Sequence, residues 1–100
     1  MIVMLAEMPI TPDSRESALE LFEDLAAASR AEPGVLEYRV TTDVEAPDVV
    51  RVIERYDDAD AVDAHMSSDH FEAFQADVAP HIAGEPTLHR YEVDSETQVM

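Results

Sequence analysis

The sequence predicts one α+β domain whose elements follow the order β-α-β-β-α-β, with the helices on one face of a four-stranded antiparallel sheet. The chain has 100 residues, 46% of them hydrophobic, which suffices for one core but not for two domains. Segments with strand alternation and segments with helix spacing succeed one another in that order. Right-handed crossovers then bring the helices to the same face. We assign residues 1–94 to this domain and expect 95–100 to form a C-terminal tail.

The first half of the chain supplies a strand, a helix and a second strand. Ile2–Ala6 is a short apolar run, which predicts a strand buried on both faces. A helix is expected over about 13–31, because Asp13 and Glu16 have the spacing of a capping box and a Pro-Gly pair follows. Residues 35–42 alternate between apolar and polar side chains, which is the period of a strand.

The second half repeats this pattern with a broken helix. Residues 49–56 are rich in β-branched side chains and should pair with the second strand as a hairpin across the loop 43–48. The acidic run 57–60 can cap a helix. A break is expected at 67–69, where Asp69 and Glu72 repeat the capping spacing and a further helix begins, and residues 87–93 form the fourth strand.

Charge excludes several classes of function. The chain has 23 acidic and six basic residues, all six of them arginine, for a net charge of −17. Such an excess repels phosphate backbones and anionic lipids, so neither nucleic acid nor membrane is expected as a partner. No cysteine and no N-terminal signal pattern are seen, which favours a cytoplasmic location. We interpret the acidity as halophilic adaptation to a salty cytoplasm, with an ordinary acidic protein as the alternative.

The sheet is expected to have apolar residues on both faces. On the third strand Val49 and Ile53 face one side while Val50 and Val52 face the other. Helices can cover only one face, and the simplest cover for the second is another copy of the chain. The sequence therefore predicts a homodimer in which sheet packs on sheet.

Two polar residues fall in apolar surroundings. Glu54 shares a face with Val50 and Val52, and its structural interpretation is an ion pair with Arg51, Arg55 or Arg39. His65 lies on the apolar stripe of the second helix, where its titration range suits proton transfer.

No two histidines have the spacing that places two ligands on one helix face, so no metal is expected. With only two glycines the chain has no phosphate-binding loop, and no cofactor is expected.

Three stretches of the chain resemble the antibiotic biosynthesis monooxygenase (ABM) domain family. They are EPGVLEYRV at 32–40, VIERYDD at 52–58 and AHMSSDHFEAF at 64–74. Their order and spacing match the family, and the resemblance extends over about residues 2 to 93. It implies a ferredoxin-like protomer that pairs through its sheet into a dimeric α+β barrel, in agreement with the homodimer expected above.

The resemblance also indicates a range of activities. The family includes cofactor-independent monooxygenases of quinols and aromatic polyketides, haem-degrading enzymes and an isomerase. Haem-degrading members use Asn, Trp and His, and polyketide-oxidising members also use Asn and Trp, whereas this chain has neither Asn nor Trp. Tyr56 stands where many members carry Trp. The residues that match are Glu54, His65, His70, Phe71 and Phe74.

We expect a cofactor-independent monooxygenase, or an isomerase, acting on a small quinol-like or phenolic substrate. Such a substrate can react with O₂ through its own carbanion, so the protein must bind it, deprotonate it and exclude water. His65 would accept the proton, and Glu54 would orient His65 or balance its charge. The expected substrate-binding residues are Tyr38, Tyr56, His70, Phe71 and Phe74. The alternatives are a non-enzymatic, small-ligand-binding or stress-related dimer of the same fold and, third, haem binding through a histidine.

Overall fold

A computed structural model describes all 100 residues and has the predicted order of elements. Four strands form one antiparallel sheet in the order β2-β3-β1-β4, and three helices cover one of its faces. The elements are β1 (Ile2–Pro9), α1 (Arg15–Arg30), β2 (Val35–Thr42), β3 (Val49–Tyr56), α2 (Ala59–Met66), α3 (Asp69–Val78) and β4 (Thr87–Glu92). The ferredoxin-like α+β fold is therefore confirmed. None of the helices combines the length and the apolar character that crossing a bilayer requires.

The helix-facing side of the sheet carries the core. Strand register places Ala6 opposite both Val52 and Leu88, and Tyr38 opposite Glu54. Side chains from α1 and α3 pack on this side, where the rings of Phe22 and Phe74 meet edge to face at 4.9 Å. The largest cluster of buried side chains comprises Ile10, Ala18, Phe22, Leu25, Ala26, Tyr38, Val50, Val52, Phe74 and Val78.

The opposite side of the sheet has an apolar centre that one chain leaves open. Leu5 lies opposite Ile53, and Val3 lies opposite Tyr91. Leu5, Ile53 and Tyr91 are 40%, 39% and 49% exposed. The second face of β1, expected to be buried, is therefore uncovered in a single protomer.

Two helix starts differ from the sequence prediction. A 3₁₀ turn at Pro12–Ser14 precedes α1, which begins at Arg15, so Asp13 is not its cap. The hydroxyls of Thr11 and Ser14 bond to each other there. At α3 the cap is Ser68 rather than Asp69, because the Ser68 hydroxyl accepts the Phe71 N–H. Residues of this type compete as caps, and sequence spacing alone did not select the one used.

Candidate functional site

A cavity of about 260 Å³ lies between the sheet and the helices. Its walls are mostly apolar and come from all four strands and all three helices. The predicted residues Tyr38, Glu54, His65, Phe71 and Phe74 line it. The other lining residues are Ala6, Met8, Phe22, Leu25, Val52, Met66, Gln75, Pro86, Thr87 and Leu88. An apolar pocket with a few polar groups is typical of a small-molecule site.

Glu54 is a buried carboxyl group in the sheet wall of this cavity. It is 5% exposed and accepts a hydrogen bond from the Tyr56 hydroxyl at 2.5 Å. Burial raises the pKa of Glu54 from 4.5 to about 7, although the bond from Tyr56 acts in the opposite direction. Burial also raises the pKa of Tyr56 above its usual range, with the Glu54 charge as a further cause, so the phenol stays protonated.

The ion pair expected between Glu54 and an arginine is absent. Strand alternation places Glu54 on the helix-facing side and Arg51 and Arg55 on the other. Arg51 pairs there with Glu7 and Asp43, and Arg55 pairs with Glu37 and Glu96. Glu54 therefore has a phenol as its partner and no compensating cation, which leaves its pKa high.

His65 is held by a carboxylate that the sequence prediction did not assign. Its Nδ1 lies 2.8 Å from Oε2 of Glu32, so Glu32, rather than Glu54, orients the ring. Nε2 of His70 lies 2.8 Å from the same oxygen. His65 is 1% exposed, and its Nε2 has no hydrogen-bond partner.

Local sequence explains how these side chains meet. Glu32 lies in the turn between α1 and β2, and its N–H bonds to the Ser29 carbonyl. His65 is in the last turn of α2, and His70 is in the first turn of α3. The helix break between them is stabilised by Ser68, which caps α3 and also donates to the His65 carbonyl at 2.6 Å. The break turns the two histidines toward one carboxylate.

Two of the predicted substrate-binding residues do not line the cavity. Tyr56 lies behind Glu54, and His70 faces Glu32 and a second hollow formed by α1 and α3. Glu32 was missed as a functional residue, although it is the first residue of the EPG stretch at 32–34. A carboxylate immediately before a Pro-Gly turn is the signal that could have drawn attention to it.

The arrangement can handle protons in apolar surroundings. A carboxyl group with a pKa of about 7 exists in both protonation states near neutral pH, as a general base requires. In a neutral His65 ring whose Nδ1–H donates to Glu32, Nε2 carries a lone pair that can accept a hydrogen bond. Burial raises the pKa of Tyr38 above its usual range, so this phenol also stays protonated.

Comparison with known proteins identifies relatives of this chain. Residues 1–77 match the family model described as antibiotic biosynthesis monooxygenase. "Putative monooxygenase YcnE" of Bacillus subtilis (strain 168) is 32% identical over 76 residues, which are 76% of this chain and 80% of that protein. A solved structure named as a "putative antibiotic biosynthesis monooxygenase" from Caulobacter crescentus CB15 has a TM-score of 0.90 at 30% identity, covering 94% of this chain and 90% of its own.

A more distant structure supports the fold alone. The Deinococcus radiodurans protein with the same description has a TM-score of 0.93 at 19% identity, and the match covers 100% of this chain and 99% of that one. The family match covers three of the four strands, α1, α2 and all but the last residue of α3, and ends before β4. The chain belongs to the antibiotic biosynthesis monooxygenase family.

Proposed function

We propose that this protein is a cofactor-independent monooxygenase of a small quinol-like or phenolic substrate, which binds in the cavity beside Glu54. The observation that carries the proposal is a buried carboxyl group with a pKa of about 7 in an apolar cavity. A dry cavity of about 150 Å³ accommodates one benzene ring, so one of 260 Å³ fits about two fused rings.

Glu54 acts as the base in this proposal, and His65 holds the substrate. The Glu54 carboxylate removes a proton from an activated CH₂ group of the substrate, and Nε2 of His65 accepts a hydrogen bond from the substrate hydroxyl. This exchanges the roles expected from sequence, because Glu32 already occupies Nδ1 of His65 and Glu54 is free of any cation.

The reaction balances without any further reductant. The substrate carbanion transfers electrons to O₂ and forms a C–O bond, and protonated Glu54 returns its proton to the resulting peroxide. Loss of the second C–H proton then breaks the O–O bond. The CH₂ group becomes C=O, one oxygen atom leaves as water, and O₂ is the oxidant. The apolar walls keep bulk water away from the carbanion.

Oxygen consumption with anthrone-like phenols, which carry the activated CH₂ group, tests the proposal. We expect uptake above the buffer rate, one ¹⁸O atom from ¹⁸O₂ in the product, and a rate that rises with pH toward a plateau above about 7, where Glu54 is ionised. Glu54→Gln should lower kcat by about 10²–10⁴-fold. Glu23→Gln, the same change at an exposed position of α1, should leave the rate unchanged. Uptake at the buffer rate, or equal rates in both variants, would favour a binding protein instead.

We further propose that two protomers pair through the open face of the sheet. Arg51 and Arg55 on this face are already paired within the chain, with Glu7 and Asp43 and with Glu37 and Glu96. This leaves Arg39, opposite Ile53, as the arginine of this face without an ion pair. The centre formed by Leu5, Ile53 and Tyr91 then needs a cover, and an identical face supplies one.

Sedimentation tests this pairing, and salt tests the halophilic interpretation. At about 1 M KCl, which screens the acidic surface, we expect twice the mass of one chain. Ile53→Asp should give a folded monomer, whereas Val44→Asp, the same change in an exposed loop, should stay dimeric. A folded monomer of the unmodified chain would refute the pairing.

Halophilic adaptation predicts a larger free energy of unfolding at about 1 M KCl than at about 0.1 M KCl, and equal values would contradict it.

A further inference from the structure

We propose that Glu32, His65 and His70 form a binding site for a divalent transition-metal ion such as Zn²⁺. One ligand atom from each residue lies within 4.8 Å of the others. Oε2 of Glu32 lies 2.8 Å from Nδ1 of His65 and 2.8 Å from Nε2 of His70. Two imidazoles and one carboxylate are a donor set that suits Zn²⁺, Co²⁺ and Fe²⁺ and disfavours Mg²⁺ or Ca²⁺.

The two oxygen–nitrogen separations in the cluster are close to those that an ion requires. Zn–N and Zn–O bonds are about 2.0–2.2 Å long, so neighbouring ligand atoms on one ion lie about 3 Å apart in octahedral geometry and slightly farther apart in tetrahedral geometry. The two oxygen–nitrogen separations of 2.8 Å would have to lengthen by a few tenths of an ångström, and the two ring nitrogens, which lie within 4.8 Å of each other, would have to come to a similar separation. His70 can provide this movement because its side chain is 30% exposed. The side chain of His65 is only 1% exposed and is fixed by the residues packed around it.

Three separate elements deliver the ligands, which makes a chance local contact a poor explanation. Glu32 precedes His65 by 33 residues and His70 by 38 residues. The Ser68 hydroxyl fixes the break between α2 and α3, so the histidines are positioned before any ion arrives. The partly exposed side chains of His70 and Glu32 give an ion a path from solvent and leave coordination positions for water.

A second observation connects the cluster with the cavity. Nε2 of His65 is buried without a partner, and the His65 ring lines the cavity. A metal on Nδ1 leaves the ring proton on Nε2, which changes that atom from a hydrogen-bond acceptor to a donor. Metal binding would therefore alter what the cavity offers a ligand. The metal site itself stands or falls independently of the proposed oxygenation.

The expectation of no metal rested on the spacing that two histidines need on one helix. Residues five apart on such a helix are about 140° apart around its axis, so His65 and His70 could not share an ion. They belong to two helices, and that geometry does not apply.

Calorimetric titration of the metal-stripped full chain with Zn²⁺ tests the site. The surface carries many carboxylates, so about 10 mM Mg²⁺ and about 1 M KCl should be present to suppress their weak binding. Co²⁺ absorption in the visible range gives a second readout that reports nitrogen ligands directly. The variants are His70→Ala and Glu32→Gln, with His89→Ala on the exposed strand β4 as the matched loss of a histidine.

We expect one Zn²⁺ per chain. Loss of a residue that only hydrogen-bonds to a metal ligand typically lowers metal affinity by 10–100-fold. Loss of a direct ligand in His70→Ala should therefore lower the Zn²⁺ affinity by at least about 100-fold. His89→Ala should bind as the unmodified chain does. The proposal is wrong if the unmodified chain binds no Zn²⁺ under these conditions, or if His70→Ala and His89→Ala have the same affinity. Because neither readout measures turnover, an inactive enzyme that binds Zn²⁺ would refute only the proposed function.

Discussion

Glu54→Gln should make the protein more stable at alkaline pH. Burial raises the pKa of Glu54 from 4.5 to about 7, so the folded state retains a proton that the unfolded chain has released. Between these values the folded state binds more protons than the unfolded state, and the free energy of unfolding falls as pH rises. The stabilising effect of this proton is complete below about 4.5 and is lost as pH rises through about 7. Glutamine is neutral at every pH, and its side-chain oxygen can still accept the Tyr56 hydroxyl.

The size of the effect follows from the shift. One pKa unit corresponds to about 1.4 kcal/mol, so the full shift is worth about 3 kcal/mol, and about 2.5 kcal/mol of it falls between about pH 5 and pH 8. The free energy of unfolding of Glu54→Gln relative to the unmodified chain should increase by that amount over this interval.

Urea unfolding at fixed protein and salt concentration measures this difference. The other 22 acidic residues are common to both proteins, so their contributions largely cancel when the two are compared at each pH. Glu23→Gln at an exposed position of α1 gives the control, for which a constant difference is expected. A difference for Glu54→Gln that does not change from about pH 5 to pH 8 would refute the reasoning, because it would mean that Glu54 ionises as readily in the folded state as in the unfolded state.

Two further substitutions test the groups around the site. Tyr56→Phe removes the hydrogen bond to the Glu54 carboxylate, which favours the ionised form. The pH at which the Glu54 proton and its stabilising effect are lost should therefore rise by about 1–2 units, as measured by urea unfolding across pH. No rise would mean that the bond does not favour the ionised form. Ser68→Ala removes the cap of α3 and should cost about 1 kcal/mol in thermal or urea unfolding. Ser67→Ala, which removes a bond from an exposed hydroxyl to the Asp63 carbonyl, should cost less than about 0.5 kcal/mol, and equal costs would contradict the capping role.

The order of the elements could be predicted because its signals are local. A few residues suffice to recognise the strand alternation in β2, the β-branched run in β3 and the break after α2. Right-handed crossovers then place the helices on one face of the sheet. The prediction that Glu54 shares a face with Val50 and Val52 was also correct, since strand alternation alone determines it, whereas alternation does not tell which face the helices cover. Cap identity was less certain because Ser and Asp residues adjoin at the start of α3.

The partners of the site residues could not be predicted, because they depend on how elements pack. Glu32 is 33 residues from His65, and no periodicity connects a turn with the end of a helix. The choice of an arginine for Glu54 failed for a related reason, since Arg51 and Arg55 are close in sequence but lie across the sheet. A buried polar residue predicts that a partner exists; it does not identify that partner.

Gly34 determines how α2, and with it His65, rests on the rest of the molecule. A Cβ at position 34 would overlap the methyl group of Ala61 and lie 3.3 Å from its Cα, so Gly34→Ala must displace the helix. His65 follows Ala61 by one turn on the same face of α2, and a displacement would move the ring relative to both Glu32 and the cavity. We expect a loss of about 1–3 kcal/mol in urea unfolding, as for other overpacked sites. Gly84→Ala is the matched control, because its Cβ would meet only Pro9 at an ordinary 3.4 Å. Equal stability of the two variants would show that α2 is free to shift, and a site built on His65 would then lack the rigid support that both proposals assume.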